Sequence, residues 1–135
     1  MTIEELAVAY HKKGFNCAQS VLCACGKYTG LDEKTALAVS GGFGGGLRCG
    51  EVCGAISGAV MAAGLCFPYS DSENLEAKGT IAALARELTG AFREKYGAVR
   101  CEEIKVDTAR CNEFIAFMAE LAGRMVQNRQ KAPEA

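Results

Sequence analysis

From position 50 every fourth residue is small: Gly50, Gly54, Gly58 and Ala62. Residues four apart share one side of an α-helix, so this stretch predicts a helix with one side nearly bare of side chains. Each interior glycine lowers helix propensity by roughly 1 kcal/mol against alanine, and close packing of another backbone is what offsets it. The bare row therefore predicts a tight helix crossing, inside the chain or across a homodimer. The adjacent row, Cys49, Cys53, Ser57 and Met61, sets thiols beside that crossing. The helix is expected to start near Cys49 or Gly50 and to end by Gly64, with Pro68 beyond.

The rest of the chain has the same helical grammar. Thr2 can cap a helix to about Lys13, which Gly14 ends. Asn16 can cap a second from Cys17 to about Tyr28, stopped by Gly30, and Asp32 a third from Glu33 to Ser40. The loop Gly41-Gly42-Phe43-Gly44-Gly45-Gly46 follows. A long helix should start at Ser70, Asp71 or Ser72 and reach Tyr96, on the stripe Leu75, Ile81, Leu84, Leu88, Phe92 and Tyr96. A short segment should cover Cys101 to Lys105. Asp107 or Thr108 should cap a last helix whose apolar face is Phe114, Phe117, Met118, Leu121, Met125 and Val126. No stretch alternates as a strand would, and no repeat or linker divides the chain. Residues 1–135 are expected to form one all-α domain, a compact bundle of about five main helices with a Gly-rich loop.

Charge narrows the partners. The net charge is −1 and no basic stripe stands out, which argues against nucleic acid. Arg124, Arg129 and Lys131 suit the end of the last helix, where the dipole favours cations. The uncharged run from Val52 to Ser70 is rich in Gly and Ala and contains Pro68, so it reads as a buried helix and not a membrane span. The opening Met1-Thr2-Ile3-Glu4-Glu5 is acidic where a secretory leader would be basic, which points to the cytoplasm. Disulfides are rare there, and clustered cysteines more often mean catalysis or metal.

Eight cysteines in 135 residues are therefore the main chemical signal. Cys17, Cys53, Cys101 and Cys111 each fall near an expected helix start, where the amide dipoles favour a thiolate. Cys23 and Cys25 lie on different sides of their helix, Cys23 with Ser20 and Lys27 toward solvent, Cys25 nearer Leu22 as a small core residue. Cys66 reads as structural, and Cys49 stays undecided. The chain has no Cys-x-x-Cys, so neither a thioredoxin motif nor a zinc ribbon is present. His11 is the only histidine and sits at the end of the first helix, as a solvated or capping group, a catalytic group or a ligand. The glycine loop lacks a P-loop ending and follows a helix, which disfavours phosphate binding, although Arg48 could pair with an anion.

At Cys53-Gly54-Ala55-Ile56-Ser57-Gly58, with Cys17 upstream and Cys101 and Cys111 downstream, the chain resembles the C_GCAxxG_C_C family of redox-active proteins. The likeness takes in Gly41 to Gly46, Arg48, Gly50 and Glu51 and runs from about Asn16 into the last helix. This chain reads Cys53-Gly54-Ala55 where the family name spells Gly-Cys-Ala. The resemblance implies a small helical protein whose defining cysteines are Cys17, Cys53, Cys101 and Cys111.

Three readings follow. In the first, the four are redox thiols in reversible thiol–disulfide or electron-transfer chemistry with a redox partner, Cys101 pairing with Cys111 and Cys17 with Cys53. In the second, the same four bind an iron–sulfur cluster, or zinc. In the third, the thiols pack and the protein is structural.

Overall fold

The computed structural model describes residues 1–104 and 107–131, with side chains to residue 128; Lys105 and the side chains of Arg129 and Lys131, named above, lie outside the described residues. Among these residues the chain is all-helical, without strands. The helices are α1 (Ile3–Lys12), α2 (Cys17–Ala24), α3 (Gly26–Thr29), α4 (Glu33–Ser40), α5 (Gly54–Cys66), α6 (Leu75–Tyr96), α7 (Cys101–Ile104) and α8 (Thr108–Lys131). Six of the eight have eight residues or more.

The caps set most of these boundaries. Thr2 and Glu5 form a reciprocal capping box at α1, and Asn16 and Gln19 form another at α2. Asp32 accepts the Thr35 amide at α4, and Asp107 accepts the Arg110 amide at α8. Gly30 and Gly97 end α3 and α6 in the left-handed region.

Three boundaries differ from the sequence expectation. The second helix is not continuous to Tyr28: at Cys25 the backbone tightens to a bond with Leu22, and α3 starts afresh at Gly26. The long helix starts at Leu75, because Asn74 is its cap, while Asp71 accepts the Glu73 amide in a local turn. The small-residue helix starts at Gly54. Before it, Gly45, Gly46, Leu47, Arg48 and Gly50 all have positive φ, and a left-handed run cannot continue a right-handed helix. Gly50 and Cys49 thus belong to a wide turn and not to α5.

Helix α5 is the centre of the bundle. It packs on α2, α6 and α8, while α1 packs on α2 and α8. Gly54, Ala55, Ile56, Gly58, Ala59, Ala62 and Ala63 are all buried. The bare row meets α2 inside the chain: a Cβ on Gly58 would lie 2.6 Å from the Ala18 carbonyl oxygen. The backbones approach there because no side chain intervenes. At about 1.5 Å per residue α5 spans only about 20 Å, and among the described residues no helix is long and apolar enough to cross a membrane.

Aromatic packing joins α6 to α8. Phe92, Tyr96 and Phe114 meet edge to face, with the Phe92–Phe114 centroids 5.3 Å apart and the Tyr96–Phe114 centroids 4.7 Å apart. Leu88 and Phe92 are the buried residues of α6, and Leu75 at its start is exposed. Phe114 carries this cluster to the wall of a cavity near the N-terminal ends of α2 and α5.

Candidate functional site

Cys17 is the first residue of α2, held by its cap. Asn16 Oδ1 accepts the Gln19 amide at 2.9 Å, and Gln19 Oε1 accepts the Asn16 amide at 3.0 Å. The same side chains reach outward: Asn16 Nδ2 donates to the Gly41 carbonyl and Gln19 Nε2 to the Leu37 carbonyl. The start of α2 is thereby tied to α4 and the glycine loop. Gly44 lies so close to Asn16 that a Cβ there would come 2.4 Å from the Asn16 Cβ. This approach lets the loop place the Gly45 amide on the Cys17 sulfur as a hydrogen-bond donor.

Cys53 is the N-cap residue of α5, although its side chain makes no capping bond. Next to it, Gly54 makes room for Cys17: a Cβ on Gly54 would lie 2.5 Å from Cys17 Sγ. A short antiparallel bridge pairs Val52 with Arg100. The Cys53 amide donates to the Val99 carbonyl at 2.8 Å, and the Cys101 amide to the Glu51 carbonyl at 2.7 Å. Side chains alternate across such a pairing, so Cys53 and Cys101 face the same way, opposite to Val52 and Arg100. Arg100 pairs with Glu51, Glu102 and Glu103 on the exposed side.

Cys111 comes from α8, beside Asn112. Its amide already bonds to the Asp107 carbonyl, so it lies one turn inside α8 and not among the unpaired amides of the helix start. Cys101 opens a helix of only four residues, too short for a substantial dipole. The helix-start expectation therefore holds for Cys17, Cys53 and Cys101, although α7 is short, while Cys111 lies one turn inside α8.

All four nevertheless converge. Cys17, Cys53, Cys101 and Cys111 line one cavity of about 120 Å³, together with His11, Asn16, Gly45, Arg48, Ile104 and Phe114. Arg48 stands exposed there at φ 62, with Leu47 at φ 60 before it. Two consecutive non-glycine residues in that region cost of order 1–3 kcal/mol each, a strain typical of functional loops.

The two central thiols are not equivalent. The Cys53 thiol donates to the Cys17 sulfur, which also receives the Gly45 and Ala18 amides. These bonds outweigh burial and bring the Cys17 thiol down to about 6. Cys53 is pushed up, first by that bond to Cys17 and then by burial. The pair is therefore unequal, with Cys17 the more readily ionised of the two.

The remaining cysteines stand apart from the cavity lining. Burial pushes Cys25 up to about 12, and burial with nearby Glu33 pushes Cys23 up to about 11. Cys23 was expected on a solvated side; it is only 7% exposed, because its neighbour Ser20 is buried as well. Cys49 is exposed in the wide turn, and Cys66 lies 3.6 Å from the Tyr28 carbonyl oxygen. All eight cysteines carry thiols and not disulfides. Among the described residues no three His, Cys, Asp or Glu side chains are grouped to hold a metal ion.

Sequence reasoning missed the Val52–Arg100 bridge, which sets Cys53 opposite Val99 and Cys101 opposite Glu51, and Asn112, which lies 2.6 Å from His11. The Asn16-x-x-Gln19 box was readable as a cap, but its outward bonds were not.

Residues 15–125 match the family model described as "Putative redox-active protein (C_GCAxxG_C_C)". The chain belongs to this family. The match embraces all four cavity cysteines and the glycine loop that donates to Cys17. No curated protein and no solved structure matches the chain.

Proposed function

We propose that the protein carries out reversible thiol–disulfide exchange, with Cys17 as the attacking thiolate and Cys53 as its resolving partner. The observation that carries this is the asymmetric pair: Cys17 receives the Cys53 thiol and two backbone amides beside a cavity. A thiolate near ambient pH is the efficient form for exchange. Cys17 attacks one sulfur of an external disulfide, a mixed disulfide forms, and one thiolate leaves. Cys53 then attacks the Cys17 sulfur, and the second thiolate leaves. Two electrons pass from the cysteine pair to the external disulfide, which leaves as one thiol and one thiolate; the reverse sequence reduces the pair. Cys101, on the same face as Cys53, and Cys111 extend the path by which oxidation passes to a redox partner. A reducing compartment such as the cytoplasm would return the pair to thiols.

The test is titration of the reduced chain with a small disulfide, followed by mapping of the bond formed. A Cys17–Cys53 link, lost in Cys17→Ser and in Cys53→Ser, is expected. Exchange that proceeds unchanged in Cys17→Ser sinks the proposal.

One observation favours a second reading: four cysteines around one cavity are the donor count of an iron–sulfur cluster, or of structural zinc. Their arrangement here is not a ligand set among the described residues, and no step is derived through a metal. Iron with acid-labile sulfide, or zinc, bound stoichiometrically after anaerobic purification and lost in Cys111→Ser would favour it over exchange.

A further inference from the structure

His11 is a cavity group that thiol exchange by Cys17 and Cys53 does not yet use. It lines the cavity from the last turn of α1, together with the four cysteines and Arg48. Its Nδ1 lies 2.6 Å from Asn112 Oδ1, on the residue after Cys111. An amide oxygen only accepts, so Nδ1 carries the hydrogen and donates. That contact fixes the ring and leaves Nε2 as the nitrogen able to exchange a proton. A solvated histidine at a helix end would not need an asparagine from a helix a hundred residues away to hold it.

From this geometry we infer that His11, held by Asn112, is the proton carrier of the thiol site. The inference rests on the exchange proposed above. In that chemistry Cys53 must lose a proton as it attacks Cys17, and a poor leaving thiolate must gain one. His11 in its protonated form gives the Nε2 proton to the first leaving thiolate as the mixed disulfide forms. Neutral His11 then takes the Cys53 proton as Cys53 closes the disulfide with Cys17. The external disulfide leaves as one thiol and one thiolate, and His11 ends protonated as it began. The proton bound by Cys53 replaces the one His11 gave away, so charge and hydrogen balance. Asn112 is a positioning residue, acting through the imidazole. The substrates that gain most are disulfides of ordinary aliphatic thiols, whose leaving thiolates are basic; an aromatic disulfide, with an acidic leaving thiol, departs without help.

The experiment follows release of the first thiol equivalent from two probes, bis(2-hydroxyethyl) disulfide and the aromatic Ellman disulfide, in the full reduced chain. His11→Gln should slow the aliphatic probe by roughly 100-fold, the low end for general acid catalysis, and change the aromatic probe by less than about threefold. Asn112→Ala should show the same selectivity with a smaller loss, and added imidazole should restore part of the aliphatic rate to His11→Ala. Equal slowing of both probes, or no slowing of either, overturns the role of His11. Should His11→Gln fail to fold, Asn112→Ala carries the same decision. If the wild-type chain releases no thiol from either probe, the exchange proposal itself fails, and this inference with it.

Discussion

At the scale of single residues, the chemistry depends on how differently the eight thiols are housed. Cys17 is lowered first by the Cys53 thiol and then by backbone amides, whereas Cys25 is raised by burial and by nearby Cys66. Iodoacetamide reacts with thiolate, so modification of Cys17 should rise through about pH 6 and level off above it. Cys25 and Cys23, held at about 12 and 11, should stay unmodified at pH 8 until the chain is unfolded. Removing the donor in Cys53→Ala should move the Cys17 transition upward by about one to two pH units, since a hydrogen bond to a charged group contributes about 1.5–3 kcal/mol. Peptide mapping of alkylated protein across pH checks both; a Cys17 transition that stays in place rules out the Cys53 thiol as the cause. The sequence singles out four cysteines that the structure brings to one cavity. It does not separate Cys17 from the others, because the amide of Gly45 and the thiol of Cys53 arrive only through folding.

At the scale of elements, α5 shows what its small residues are for. Gly58 faces the Ala18 carbonyl with no room for a methyl group, while Gly64, on the same helix, has open space. Gly58→Ala should therefore destabilise the fold by about 1–3 kcal/mol through overcrowding. Gly64→Ala should stabilise it by about 0.5–1 kcal/mol through helix propensity. Urea titrations of the two variants should move in opposite directions, and a shared direction would refute the packing account. The tight crossing is legible from the spacing of Gly54, Gly58 and Ala62 alone. The true start of α5 is not, because Leu47 and Arg48 adopt positive φ without being glycine, and no propensity rule anticipates that. The caps at Thr2, Asn16 and Asp32 were readable because each acts within three residues of itself.

At the scale of the whole molecule, the site is an assembly of distant segments. Cys17 comes from α2, Cys53 from the entry to α5, Cys101 from α7 and Cys111 from α8. Linking Cys17 to Cys53 closes a long loop, and loop-closure entropy for such a length gives up to about 4 kcal/mol of added stability, less any strain. Urea midpoints of oxidised and reduced protein should differ in that sense; a lower midpoint on oxidation would mean that the native geometry resists the bond. Helix α6 should behave as two halves. Its buried residues are Leu88 and Phe92, the latter in ring contact with Phe114 of α8, and its first turn exposes Leu75. Amide deuterium exchange should be faster over residues 75–84 than over 88–96, and uniform protection would contradict this. The long-range bridge between Val52 and Arg100 was beyond the sequence, since a single antiparallel contact carries no periodic signature. That bridge also sets the order in which the cavity is built. A chain still being made leaves Cys53 without Val99 and Cys101 until nearly three quarters of it exists, so the cavity cannot close before then. The four-cysteine cavity is thus a late acquisition, complete only once the segment that carries Cys111 has been made.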